Sequence, residues 1–101
     1  MQFRTMLAAA LLGGGILASI APVDAQQLPS ALALTCATCH GTDGKSPGSI
    51  PTIAGRPAKD LKDALVGFKT GTRPATVMNR LAKGYTDQEI DALADYFSKR
   101  K

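Results

Sequence analysis

At 101 residues, with 12 Lys and Arg against 8 Asp and Glu for a formal net charge of +4, the chain has room for one small domain. That charge is too mild to argue for nucleic acid and at most favours an acidic docking partner. Two cysteines and one histidine exclude a closed zinc shell, which needs four such ligands.

The first 25 residues read as a secretory signal peptide. Arg4 supplies a basic start, Leu7 to Ala21 is apolar and small, and Val23-Asp24-Ala25 resembles a cleavage site. A retained anchor is the alternative. The apolar stretch of about 15 residues is short of the ~20 needed to span a bilayer, and Gly13-Gly14-Gly15 weakens it as a helix. Cleavage after Ala25 is expected, leaving residues 26–101 as one domain in the periplasm with no membrane span.

A first helix is expected from about Ser30 to Cys39, capped by Ser30 after Pro29, with Leu32, Ala33, Leu34 and Ala37 compact enough for another helix to approach. It runs into Cys36-Ala37-Thr38-Cys39-His40. Two cysteines three apart followed at once by histidine form the attachment signature of a c-type haem. Each thiol can add across one vinyl group, and the adjacent imidazole then sits beneath the iron. A thioredoxin-like motif would need a βαβ context, and the flanks carry no β-branched runs. A disulfide closing so short a loop would staple almost nothing. The expected cofactor is therefore one covalent haem c, held by Cys36 and Cys39. With both thiols consumed, no structural disulfide remains.

Gly41 to Gly55 is rich in Gly, Ser and Pro and reads as a loop. It must pass near His40, whose second ring nitrogen needs an acceptor; the Pro51 carbonyl is the candidate, although Pro51 also suits a plain turn. Arg56 could pair with a haem propionate or lie in solvent. A second helix begins near Pro57, with Leu61, Ala64, Leu65 and Phe68 on one stripe and Lys59, Asp60, Lys62 and Asp63 off it; Gly71 ends it. In the last helix Thr86-Asp87-Gln88-Glu89 forms a capping box. Ile90, Leu93, Ala94 and Phe97 make the apolar stripe, and Lys99-Arg100-Lys101 suits the C-terminal dipole. The fold class is all-α, a single domain wrapped around haem.

The axial ligands follow by elimination. His40 is the only histidine, and of Met1, Met6 and Met78 only the last survives removal of the signal peptide. Met78 is the candidate sixth ligand; were it only apolar filler, the iron would be five-coordinate or lysine-ligated. His/Met ligation fills both axial positions and favours ferrous iron, which suits electron transfer rather than oxygen or peroxide chemistry.

The haem motif ending a first helix, the Ile50-Pro51-Thr52-Ile53-Ala54-Gly55 loop, one methionine and a capped C-terminal helix resemble the class I cytochrome c family. The resemblance spans nearly all of residues 26–101. It implies that the first and last helices cross closely, the last contributing Leu93, Tyr96 and Phe97, and it places Pro51 and Arg56 on the family's loop proline and following arginine. The segment from Arg73 to Ile90, with Asn79-Arg80-Leu81 continuing from Met78 as if helical, is similar to cytochrome subunits of flavocytochrome c sulfide dehydrogenases. That likeness implies an FAD flavoprotein partner that oxidises sulfide and a downstream cytochrome or oxidase as electron acceptor. The chain itself would carry no catalytic site. The alternative is a free soluble carrier shuttling between redox complexes. A haem sensor or small peroxidase would require Met78 to leave the iron, and nothing in the sequence demands that.

Overall fold

A computed structural model describes residues 13–22 and 27–101. Residues 13–22 are exposed throughout, with Ile16, Leu17 and Ile20 between 91% and 95% exposed, so their apolar side chains add nothing to the core. The expected cleavage point at Ala25 lies outside the described residues. No described helix is long and apolar enough to cross a membrane.

Four α-helices and no strand occur among the described residues: α1 (Gln27–His40), α2 (Ala58–Thr70), α3 (Met78–Leu81) and α4 (Asp87–Ser98). Single 3₁₀ turns lie at Thr42–Gly44 and Ala82–Gly84. Helix α1 starts three residues before the expected Ser30 cap. Pro29 is accommodated because the first turn has no use for its missing N–H, and the Ser30 hydroxyl instead donates back to the Gln27 carbonyl at 2.8 Å. Helix α2 opens on Pro57 as the cap residue and closes on Gly71. Helix α4 carries the full capping box: Glu89 N–H donates to Thr86 Oγ1 at 3.1 Å, and Thr86 N–H donates to the Glu89 carboxylate at 2.9 Å.

The core forms where α4 packs against α1 and α2. Ala33, Leu61, Leu93, Ala94 and Phe97 make one buried cluster, flanked by Leu32, Cys36, Ile53, Leu65, Tyr85 and Tyr96. The α4 stripe reads as the sequence predicts: Ile90, Leu93, Ala94 and Phe97 are all buried. On α1 the compact residue that lets α4 approach is Ala33; Leu34, one position on and about 100° around the helix, is 71% exposed. Among the described residues seven apolar side chains are buried, a small core for a domain of this length.

The loop after α1 is stapled beneath α4. Gly44 is buried at φ 80°, and a Cβ there would lie 2.8 Å from both Ile53 Cγ1 and Phe97 Cδ1, so only glycine fits. Its carbonyl accepts from Ile53 N–H at 2.9 Å and Ala54 N–H at 3.2 Å, and Gly55 N–H donates to the Phe97 carbonyl at 2.9 Å. The segment containing Pro51 is thereby fixed close to the end of α1.

Candidate haem site

The last turn of α1 presents Cys36, Cys39 and His40 from one rigid element. Both cysteines are free thiols. Cys36 is half-buried against the core cluster and Cys39 is exposed. Burial raises the Cys36 thiol above its ordinary pKa, outweighing hydrogen bonds from Thr35 and its own backbone that pull it down. At neutral pH it is held as the thiol.

His40 is half-buried, and its Nδ1 lies 2.6 Å from the Pro51 carbonyl oxygen. A carbonyl can only accept, so the hydrogen bond requires the proton on Nδ1. The Nε2 lone pair is then free for a metal. The Gly44 staples hold the loop that delivers this carbonyl.

Met78 opens α3 and is half-buried; Val77 and Leu81, which flank it, are 55% and 50% exposed. Its segment is tied to the rest of the domain. The Tyr85 and Thr35 hydroxyls meet at 2.8 Å, and Lys69 Nζ donates to the Tyr85 carbonyl at 2.7 Å and to Asp87 at 3.2 Å. Sequence reasoning missed the Thr35–Tyr85 contact, since hydroxyls 50 residues apart leave no periodic signal. Tyr96 sits edge-on to Phe97 at 5.2 Å and beneath the Arg100 guanidinium at 4.1 Å, so it packs rather than reaching into a site. Arg56 is exposed, and no hydrogen bond or ion pair among the described residues holds it.

The donor chemistry fits a haem. Two free thiols one helical turn apart suit two vinyl groups, and the adjacent imidazole has its tautomer fixed for metal binding. Among the described residues no group of three or more Cys, His, Asp or Glu could hold a metal ion alone. Ile50, Leu34, Val77 and Leu81 remain 40% to 71% exposed, apolar surface that a macrocycle could cover. The open depression beside the motif is lined by Ala37, Thr38, Cys39, Thr42, Asp43 and Pro47 and includes neither His40 nor Met78. It is a surface feature of the loop, not the place where the candidate ligands meet.

The family model for cytochrome c matches residues 26–101. The chain is 53% identical over 66 residues to the cytochrome subunit of sulfide dehydrogenase from Chlorobaculum tepidum, a match covering 65% of this chain and 60% of that relative. It is 36% identical over 64 residues to cytochrome c-553 of Desulfomicrobium norvegicum, covering 60% of this chain and 80% of the relative. It is 37% identical over 100 residues to a thiosulfate dehydrogenase electron acceptor from Thiomonas intermedia, covering 97% of this chain and 45% of the relative. The chain thus spans about three fifths of the first of these proteins and less than half of the third.

Proposed function

The chain belongs to the cytochrome c family, with the small all-helical class I fold and a covalent haem c that serves electron transfer, and on that premise we propose that it is the electron-accepting subunit of a sulfide-oxidising flavoenzyme in the periplasm. The observation that carries the subunit reading is the 53% identity to a sulfide dehydrogenase cytochrome subunit.

The roles of the residues follow from their positions. Cys36 and Cys39 would hold the macrocycle through two thioether bonds, each made by addition of S–H across a vinyl C=C, which oxidises nothing and releases no leaving group. His40 Nε2 would hold the iron, its lone pair left free by the Nδ1 proton given to the Pro51 carbonyl. Met78 Sδ would hold it as well, from a segment tied by the Lys69 and Tyr85 contacts. When bound, the haem supplies a one-electron couple at iron, which a two-electron flavin donor needs in order to be reoxidised in single steps. Arg56, exposed and unpaired among the described residues, is available to a propionate. Residues 1–25 direct export and are removed after Ala25. A downstream cytochrome or oxidase takes the electrons onward.

A second reading has its own support. The likeness to a thiosulfate dehydrogenase electron acceptor extends over 97% of the chain, and an acceptor of that kind is compatible with a free carrier. Purification from the native host separates the two. A permanent subunit should remain with an FAD-containing chain through gel filtration at high salt, because apolar contact is not screened. A mobile carrier should elute alone as ionic strength rises. Isolation as a monomer with no flavoprotein under any salt condition would sink the subunit reading.

A further inference from the structure

The candidate ligands stand on two walls of the fold. Cys36, Cys39 and His40 belong to the end of α1, whereas α3, which carries Met78, and the 3₁₀ turn after it pack on α2. The segment from Met78 to Tyr85 is one stiff piece. Ala82 N–H donates to the Met78 carbonyl, Tyr85 N–H donates to the Ala82 carbonyl at 3.3 Å, and Ala82 is fully buried. At the end of this piece Tyr85 is held from both sides. Its carbonyl accepts from Lys69 Nζ of α2 at 2.7 Å, and its hydroxyl reaches Thr35 of α1 at 2.8 Å. Among the described residues that hydroxyl pair is the one hydrogen bond between the Met78–Tyr85 segment and α1.

The direction of that bond follows from counting protons. A hydroxyl has one, and that of Thr35 goes to the Leu32 carbonyl at 2.7 Å, so Tyr85 donates and Thr35 accepts. Thr35 adjoins Cys36, so the bond ties the Met78 wall to the helix where a thioether would form. We propose that Tyr85 is a positioning residue whose hydroxyl, donated across to Thr35, holds Met78 on the iron and slows the entry of outside ligands. The inference rests on the reading of Met78 as axial ligand. Without the tie the segment keeps its seat on α2 but loses its fixed distance to α1, and a sixth ligand depends on that distance. Under the proposed function hydrosulfide is the ligand to be kept out.

The test follows imidazole entry into the ferric holoprotein at saturating imidazole, where the rate is set by departure of the thioether. Imidazole binds ferric iron without reducing it. Tyr85→Phe and Thr35→Val should each raise that limiting rate by roughly threefold to tenfold, the worth of one hydroxyl hydrogen bond. The double variant should be no faster than either single, because both remove the same bond. Thr35→Ser, which keeps the hydroxyl, should match the wild type. A Tyr85→Phe protein that is less stable but takes up imidazole at the wild-type rate overturns the proposal and leaves the pair a packing contact. A double variant whose acceleration is the product of the two singles also overturns it, since the hydroxyls would then act independently. Failure of the ligand reading is separate: the wild-type protein would lack the weak ferric sulfur–iron band at the red end of the spectrum, and this proposal would fall with that reading.

Discussion

Met78 and Gly44 show what single residues decide. Met78→Ala should leave haem attached, because the proposed attachment runs through Cys36 and Cys39 instead. It should abolish the sulfur–iron band and lower the potential, because a soft ligand that favours ferrous iron is gone. Ferric and ferrous absorption spectra with a potentiometric titration check this; a wild-type protein without the band, and a potential unchanged in Met78→Ala, would point to lysine ligation. Gly44→Ala acts through packing. A Cβ at φ 80° is strained, and it would meet Ile53 and Phe97 at 2.8 Å. The loss should be about 2 kcal/mol or more by these two effects, read by denaturant titration. Because the same glycine anchors the loop that presents Pro51 to His40, this variant should also disturb the axial imidazole. The Cys-x-x-Cys-His motif was legible in the sequence because its residues are contiguous and chemically rare. Pro51 was legible only as a candidate, since its hydrogen bond depends on a loop path that no local pattern encodes. The enclosed, unpartnered Oδ1 of Asn79 was not legible, because burial of one amide oxygen is a property of tertiary packing.

Helix α4 tests the element scale. Its capping box satisfies two orphan backbone donors, and Thr86→Ala should cost about 1 kcal/mol, a fall in Tm of roughly 4–8 °C for a domain of this size. The tie between α2 and α4 includes the ion pair Lys62–Asp91 at 2.6 Å. Lys62 is raised above its ordinary pKa, chiefly by the hydrogen bond to Asp91 and then by that carboxylate's charge. A lysine raised on folding stabilises fully below its unfolded pKa and loses that contribution as pH rises through the folded value. Asp91→Asn should therefore lower Tm slightly at neutral pH and low salt. The difference should shrink in high salt and vanish in strongly alkaline solution. Scanning calorimetry of both proteins across pH and salt reads it. The periodic stripes of α2 and α4 and the Thr86 box could be read directly, since each is local. The start of α1 could not: Ser30 is a good cap by type, but Pro29 is equally good inside a first turn, and packing of Ala33 against α4 does not depend on where the helix begins.

The whole molecule has a core too small for its length. Among the described residues seven apolar side chains are buried, two of them large and fully enclosed, and all but Ala82 lie on α1, α2 and α4, while Leu34, Ile50, Val77 and Leu81 stay exposed. Folding one residue costs about 1–2 kcal/mol of backbone entropy, so a domain of this size needs more apolar burial than these side chains supply. A covalent macrocycle supplies it in two ways. It covers apolar surface left open along the site, and its thioether bonds join it to α1 so that binding carries no concentration term. Holoprotein stability should therefore depend on haem far more than on any single packing residue. The expected outcome is a sharp contrast between the holoprotein and the Cys36→Ser/Cys39→Ser double variant, which cannot attach haem. The holoprotein should show a cooperative thermal transition and full helicity by circular dichroism. The double variant should show much reduced helicity and a shallow transition, while its isolated α4 sequence keeps some helix through the Thr86 cap. Addition of free haem should restore only part of the signal, in proportion to its concentration, because the covalent tether is missing. A double variant with native helicity and a cooperative transition would mean that the seven-residue core suffices and that haem is a passenger in the fold.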